Sequence, residues 1–375
     1  MVAVRIESGA DIGAVWHYGD PLREQRWLED GTGVVDLSAR DVIRITGPER
    51  GAYLNLLGTQ KLDDMSPGQA MSTFLLDPQG HIMHFLALVE TGDEIWGWTE
   101  PGRGAGLVDH LTRMKFRMDV QADMRIDMAV VWVGADIPVD SLMDPGLGDR
   151  ALMDRSSGDS DPNGHGEGVE GIPSAQETVD PCDGVGPQAC PARQGTPNCL
   201  GGKEVFIPRS QVDHVMSLGH PVGMWAHTAR RIASGVIRVG MDTDTNTLPN
   251  EVGVPSEDLV LNKGCYPGQE TVARVYNVGA PPRRLVRLHL DGSQESFLDP
   301  NTPLTLDGAE VGFLGSMAYH HELGPIGLGL VKRQTDDNAT LMAADVPASI
   351  EPLVARDVGL HVKADLDRRV ARRLM

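Results

Sequence analysis

The chain has 375 residues, of which 41% are hydrophobic, so it can build two or three domains with ordinary cores. Its formal net charge of −20 repels phosphate backbones and anionic lipid headgroups, so we expect neither nucleic acid nor a membrane as a partner. Residues 1–20 lack the apolar core of a signal peptide, and four unevenly spaced cysteines do not suggest a disulfide framework. We therefore expect a cytoplasmic protein with reduced thiols.

The N-terminal block is predicted to alternate strands and helices. Apolar alternation predicts strands over 42–45, 71–76, 82–89, 95–98 and 124–133, and helical spacing predicts helices near 48–58 and 107–114. The turn at residues 77–80, Asp-Pro-Gln-Gly, joins two of the strands directly. Short connections of this kind favour an α+β arrangement in which helices pack on antiparallel sheets.

Composition divides the rest of the chain. Residues 154–202 are rich in Gly, Pro, Ser and Asp and poor in aliphatics, which predicts a disordered low-complexity insertion. Residues 1–153 and 203–280 are then expected to form two α+β subdomains. Short strands separated by Gly and Pro predict a β-barrel over residues 281–365, followed by a short basic helical tail over 366–375.

Residues 263–270 contain several charged, polar and potentially reactive side chains within eight positions. Cys265 is the only cysteine outside the insertion, and Lys263 two positions earlier would favour its thiolate. Gly264 and Gly268 allow backbone conformations closed to other residues, and Pro267 can begin a helix that places the thiol at its N-terminus. Further polar groups follow at Gln269, Glu270 and Arg274. The alternative interpretation is a well-capped turn with a buried, inert cysteine.

The same octapeptide, Lys-Gly-Cys-Tyr-Pro-Gly-Gln-Glu, resembles the Lys-Gly-Cys-Tyr/Phe-x-Gly-Gln-Glu signature of YgfZ-type folate-binding proteins. These proteins are relatives of the glycine-cleavage T-protein, an aminomethyltransferase. Residues 36–38, 75–80, 231–235, 249–253, 272–274 and 323–330 are also similar to segments of that family. The resemblance spans most of the chain except the insertion.

The resemblance implies a multi-domain T-protein-like α+β fold with a central channel and a C-terminal β-barrel. It implies that tetrahydrofolate, or a one-carbon derivative of it, binds in the channel. It also implies a role in assembling or repairing iron–sulfur enzymes, with the assembly machinery or its client enzymes as partners. The critical thiol would be Cys265, with Lys263 beside it. The implied cofactor-binding residues are Gly264, Tyr266, Gly268, Gln269, Glu270, Arg274, Glu251 and Arg231.

Two positions depart from the family. T-proteins carry an Asp that positions folate for one-carbon transfer, whereas Met83 or His84 stands in the corresponding stretch here. Many relatives have a Glu that can pair with the pterin at the position of Ala233. Glu251 is a candidate replacement for that contact; the alternative interpretation of Glu251 is an exposed loop carboxylate.

Three functions follow, in order of preference. The first is a tetrahydrofolate-binding accessory protein of iron–sulfur metabolism rather than a stand-alone enzyme. The second is a folate-dependent aminomethyltransferase or methyltransferase. The third is a non-catalytic protein-binding adaptor whose folate pocket has decayed.

No resident metal is expected. Cys182, Cys190 and Cys199 are spaced too widely for a zinc or iron–sulfur site. His320 and His321 are neighbours on a predicted strand, so their rings should point to opposite faces, and a solvated turn is the better interpretation.

Overall fold

The computed structural model describes residues 3–138, 191–254, 259–278, 281–293 and 297–356. Its strands are β1 Val4–Arg5, β2 Val15–His17, β3 Gly33–Asp36, β4 Asp41–Thr46, β5 Ala70–Leu76, β6 Ile82–Glu90, β7 Ile95–Thr99, β8 Gln121–Met124, β9 Met128–Val133, β10 Ala192–Gln194, β11 Lys203–Pro208, β12 His220–Val222, β13 Arg283–Leu290, β14 Thr302–Leu306, β15 Ala309–His320, β16 Gly324–Lys332, β17 Thr340–Ala343 and β18 Val346–Pro352. Its α-helices are α1 Pro21–Glu29, α2 Arg50–Leu57, α3 Gly104–Met114, α4 Val212–Met216, α5 Met224–Ala233 and α6 Gln269–Val278.

Two five-stranded sheets pack face to face. The first has the order β10-β11-β9-β3-β12, in which only β12 runs parallel to its neighbour, and the second has the order β5-β6-β7-β4-β8. Alternate side chains of both sheets, among them Trp132, Phe206, Phe74 and Trp98, meet in one buried core. The opposite face of the second sheet is covered by α2 and α3, and that of the first by α4.

The C-terminal strands close into a six-stranded barrel of order β13-β16-β15-β14-β17-β18. Alternate residues such as Val286, Leu288 and Leu304 fill its interior. Helix α5 packs Ala229 and Ile232 against the outer face of the barrel. The expected α+β architecture with antiparallel sheets and a C-terminal barrel is thus confirmed.

Several element boundaries differ from the predictions. Residues 124–133 form two strands in different sheets, because the turn at 125–127, closed by an Arg125–Asp127 ion pair, redirects the chain. Residues 154–190 and 366–375 lie outside the described residues, so the insertion and the basic tail stay predictions there. Residues 191–202, in contrast, belong to the first sheet: β10 pairs with β11, and Arg193 and Cys199 are fully buried.

No helix within the described part of the chain is long and apolar enough to cross a membrane.

Candidate functional site

The signature segment 263–270 forms a loop that lies against the β5–β6 turn. Gly268 has φ +77°, in the left-handed region, and a Cβ built on it would lie 2.6 Å from Gly80 Cα and 2.7 Å from Asp77 O. Gly80 also has a positive φ, and a Cβ on it would contact Thr271 of α6. Gly80 and Gly268, which are 188 positions apart in the sequence, therefore share one tightly packed contact.

Adjacent residues of this loop have opposite environments. Cys265 is exposed and is a free thiol, and the space around Gly264 is open. Tyr266 is only 5% exposed and belongs to the core between the two sheets. The interpretation of Cys265 as a buried, inert cysteine is therefore wrong. Helix α6 begins at Gln269, after Pro267, so the thiol precedes the helix by four residues.

Lys263 anchors the loop. Its Nζ donates hydrogen bonds to the carbonyl oxygens of Asn55, at 2.5 Å, and Gln60, at 2.7 Å. The same ammonium group lies 5.0 Å from the centroid of the Tyr266 ring. Burial lowers the pKa of Lys263 to about 8. The sequence led us to expect that Lys263 favours the thiolate of Cys265. This expectation is corrected, because the Nζ atom donates to the carbonyl oxygens of residues 55 and 60 instead.

The remaining polar residues of the signature face different surroundings. Gln269 donates from Nε2 to the carbonyl oxygen of Leu261 at 3.1 Å, which closes the loop on itself. Glu270 and Arg274 are exposed on α6. Of these three predicted cofactor-binding residues, Gln269 closes the loop, whereas Glu270 and Arg274 lie at the surface.

Glu251 is not available to a ligand. It is fully buried, and its carboxylate accepts hydrogen bonds from Arg283 Nε at 3.0 Å, Arg283 Nη2 at 2.9 Å and the Leu248 amide at 2.9 Å. Both the predicted pterin contact and the alternative of an exposed carboxylate are therefore wrong. The Arg283 guanidinium group thus supplies both the opposite charge and the hydrogen bonds that a buried carboxylate needs.

Arg231 is likewise committed to the protein. It is 3% exposed and donates to Asp242 Oδ2 at 2.8 Å, Ser316 Oγ at 2.5 Å and the Val236 carbonyl at 2.6 Å. These bonds join α5 to strand β15 of the barrel. Arg231 therefore has a structural role, but its Nε atom is buried without a hydrogen-bond partner, so the role in binding the cofactor stays a prediction.

A cavity of about 140 Å³ lies beside the core that contains Tyr266. A dry cavity of similar size accepts one benzene-sized ring, so this one admits a flat ring system only with modest widening. None of its lining residues carries a carboxylate; they are Phe74, Phe85, Pro197, Asn198, Ser234, Gly235, Val236, Ile237, Val239, Val252, Gly253 and Val254.

Two residues outside the cavity lining carry unpaired polar atoms. Asn250 Oδ1 and the Tyr266 hydroxyl are among the ten buried side-chain atoms of the described residues that lack a hydrogen-bond partner. Burial also raises the pKa of Tyr266 to about 12, so the hydroxyl keeps its proton and can donate it. Asn250 lies two positions before the lining residue Val252. The cavity lining itself is mostly apolar, as is typical of small-molecule pockets.

Sequence reasoning missed the cavity residues. Phe74 and Phe85 occupy inward positions of the predicted β5–β6 hairpin, and their cross-strand pairing was the available signal. Asn198 belongs to the segment predicted as disordered, so composition concealed it. Asn250 lies in a segment similar to the family but carried no separate signal.

Where T-proteins carry the aspartate that positions folate, this chain has Met83 or His84 at the start of β6. Met83 is the extra residue at an irregularity in the β5–β6 pairing. His84 points to the helical side of the sheet, where its ring lies 5.5 Å from that of His110 on α3. Burial, together with His110, lowers the pKa of His84 to about 4, so the ring is neutral. Neither side chain can supply a fixed negative charge.

Comparisons with known proteins agree with this fold. The crystal structure of the glycine cleavage system aminomethyltransferase T from Bartonella henselae superposes with a TM-score of 0.67, at 16% sequence identity and over 95% of each chain. No protein-family model matches the chain.

Similarity in sequence to curated proteins is low but extended. The chain is 22% identical to the dimethylsulfoniopropionate demethylase of Ruegeria pomeroyi, over 88% of this chain and 86% of that protein. It is 24% identical to an aminomethyltransferase of Rippkaea orientalis, over 86% and 84% of the two chains. A putative chloroplastic transferase of Arabidopsis thaliana is 35% identical, but that match spans only 26% of this chain and 23% of the relative. The chain therefore has the fold of the glycine-cleavage aminomethyltransferase T.

Proposed function

We propose that this chain is a tetrahydrofolate-binding accessory protein that supports the assembly or repair of iron–sulfur clusters through the Cys265 thiol. The observation that carries the proposal is the exposed Cys265 on a loop whose next residue, Tyr266, enters the core beside the cavity. Because Cys265 is exposed, its thiol is accessible to an iron–sulfur client. Thiolates are also the usual protein ligands of iron in clusters.

The folate would be held mainly by shape and by uncharged groups. Phe74 and Phe85 offer apolar faces to a flat ring, and Asn198 offers an amide group to its polar edge. When bound, tetrahydrofolate supplies a carrier for one-carbon groups. With no lining carboxylate, recognition lacks a charge-assisted bond, so we expect weaker binding than a carboxylate-containing pocket provides.

Calorimetric titration with tetrahydrofolate tests the pocket. We expect saturable binding by the wild type and by Cys265→Ala, because the thiol lies outside the cavity lining. Ile237→Trp should abolish binding by filling the cavity, while leaving alkylation of Cys265 unchanged. Absence of binding by the wild type would favour the adaptor function, in which the pocket has decayed.

A host lacking the protein tests the role of the thiol. Restoring the wild-type chain should restore the activities of iron–sulfur enzymes, and Cys265→Ala should not. Glu310→Gln, an exposed change on the barrel outside the signature, is the control and should restore them. Full complementation by Cys265→Ala would remove the main support for this proposal.

The second candidate is a folate-dependent aminomethyltransferase or methyltransferase. It is favoured by the extended similarity to an aminomethyltransferase and a demethylase. It is opposed by the carboxylate-free cavity lining and by the neutral His84 and Met83. Turnover of a methylated or aminomethylated donor with tetrahydrofolate, at an unchanged rate in Cys265→Ala, would establish it instead.

A further inference from the structure

Three side chains capable of binding a metal meet where helix α1 packs against the barrel. Glu29 is the last residue of α1, His320 is the last residue of β15, and His321 follows it in the turn. One ligand atom from each side chain lies within 4.8 Å of the other two. The imidazole ring centroids are 4.8 Å apart, and His321 Nε2 is 2.8 Å from Glu29 Oε1.

This arrangement corrects the expectation that the two histidines point apart. Alternation between faces holds only within a strand, and β15 ends at His320. His321 belongs to the following turn, so the chain direction changes between the two residues and both rings reach the same side.

Buried partners fix the position of the cluster without any metal. Gln25, which is 3% exposed, donates from Nε2 to the Tyr319 carbonyl and accepts from the His321 amide, both at 2.9 Å. Trp225 Nε1 donates to the same carbonyl at 3.1 Å. These bonds hold the end of β15 on α1, so the backbone that carries His320 and His321 is fixed by its supporting residues.

We propose that Glu29, His320 and His321 bind a divalent transition-metal ion of the zinc class, which joins the N-terminal helix to the barrel. Two imidazoles and one carboxylate are a known ligand set for Zn²⁺, with a fourth position left to water or another group. The Glu29 side chain is 43% exposed, so the site is open to solvent on that side.

Two arginines lie near the cluster, and each is bonded to another group. Arg287 interacts electrostatically with His320, but its guanidinium group is bonded to Glu351. Arg230 interacts with Glu29 and donates its Nε to the Leu200 carbonyl. The metal would displace the proton between His321 and Glu29, because their ligand atoms are already at hydrogen-bond distance.

Metal binding changes one feature of the turn. His320 Nδ1 accepts hydrogen bonds from the amides of Glu322 and Leu323, each at 3.2 Å. Binding through Nε2 requires the ring proton on Nδ1, so these two long bonds are given up. The turn after β15 is therefore expected to rearrange locally when the metal binds.

Titration of untagged, metal-free protein with Zn²⁺ tests the site. We expect one ion per chain bound by the three ligands, and a loss of affinity of at least about 100-fold in Glu29→Gln and in His321→Gln, because loss of supporting residues alone costs 10–100-fold. His289→Gln is the matched control: His289 Nε2 also contacts a carboxylate, Glu351 Oε2 at 2.7 Å, but no third ligand joins that pair among the described residues. It should bind Zn²⁺ like the wild type.

Substitution with Co²⁺ distinguishes this site from the cysteines. The expected spectrum shows ligand-field bands without thiolate-to-cobalt charge transfer, and these bands should disappear in Glu29→Gln. The thermal unfolding midpoint should rise with Zn²⁺ in the wild type but not in Glu29→Gln. Wild-type affinity in Glu29→Gln, or a thiolate charge-transfer band at the first equivalent of Co²⁺, would overturn the proposal.

Discussion

Gly268 of the signature loop and Gly80 of the β5–β6 turn approach so closely that a Cβ on Gly268 would lie 2.6 Å from Gly80 Cα. The loop that carries Cys265 therefore depends on a hairpin of the second sheet for its position. A side chain at either glycine would separate them.

Gly268→Ala should displace the signature loop and destabilise the protein. The left-handed φ of +77° alone costs a non-glycine residue roughly 1–2 kcal/mol, and the contact with Gly80 adds to that cost. We expect a loss of about 2 kcal/mol or more by urea denaturation. Gly264→Ala is the matched control, because nothing lies within 4 Å of its Cβ and its φ is not positive. Equal stability of the two variants would contradict the observed packing.

Glu251→Gln should destabilise the protein by about 3 kcal/mol, because it leaves the Arg283 guanidinium without its buried anionic partner. This cost is at the lower end of the range of about 3–5 kcal/mol for breaking a buried ion pair. The reason is that Arg283 keeps its ion pair with Asp244, at 2.6 Å. The measurement is the midpoint of urea unfolding, with the exposed Glu310→Gln as control. Retained folate binding in folded Glu251→Gln would agree with a structural role, and its specific loss at unchanged stability would restore the cofactor role.

Stability should fall in acid as Asp244 becomes protonated. Burial alone would raise its pKa, but hydrogen bonds from Arg283 and Thr247 lower the pKa of Asp244 to about 2. The unfolded state therefore binds more protons between pH 4 and pH 2, so the stabilisation is present above pH 4 and is lost as pH falls through 2. Solvent exposure of the pair limits the effect to about 1 kcal/mol. Asp244→Asn should flatten the pH profile of the unfolding midpoint in that window; an unchanged slope would be evidence against this ion pair.

Deletion of residues 155–200 should abolish stable folding, although composition alone suggests that it would be tolerated. It removes Arg193, whose guanidinium group is buried against Glu204 and the Leu88 carbonyl. Glu204 retains Arg40 and Trp98 Nε1 as partners. The first sheet, however, also loses strand β10 and the fully buried Cys199. Deletion of 155–188 removes no described residue and is the control. Cooperative thermal unfolding of the shorter deletion and not of the longer one is the expected result.

The two described cysteines should react very differently. Cys265 is exposed, whereas Cys199 is fully buried and its pKa is raised by desolvation and by Glu204. Iodoacetamide should label Cys265 in the native protein and Cys199 only after unfolding, because the thiolate is the reactive form. Peptide mapping by mass spectrometry measures both. Labelling of Cys199 at the rate of Cys265 would contradict the burial of Cys199.

Local pattern was enough to predict the hairpins and their turn. Strands β5, β6 and β7 lie within one or two residues of their predicted bounds, since alternation and the Asp-Pro-Gln-Gly turn determine them locally. Helix α2 ends at Leu57 before Gly58, as predicted, but starts at Arg50 after Pro48. The choice of Cys265 as the critical thiol followed from its neighbours and from the family resemblance, whereas its exposure is seen only in the structure.

Partners distant in sequence account for what was missed. Glu251 is a loop carboxylate by local pattern, and only the barrel strand that carries Arg283 makes it a buried ion pair. Arg193 sits in a stretch of low-complexity composition, yet Glu204 and the Leu88 carbonyl determine its burial. Composition cannot report such contacts, because it describes a segment without its neighbours.

The contact between Gln25 and Tyr319 has a consequence for synthesis on the ribosome. The two residues are separated by 294 positions, so helix α1 emerges long before the strand that receives it. At 5–20 residues per second, the delay is roughly 15 to 60 s. Throughout that interval Gln25, which is buried in the finished protein, lacks the strand that covers it. A polar side chain at this position keeps the waiting helix compatible with water, and the contact between α1 and β15 forms only once that strand has been translated.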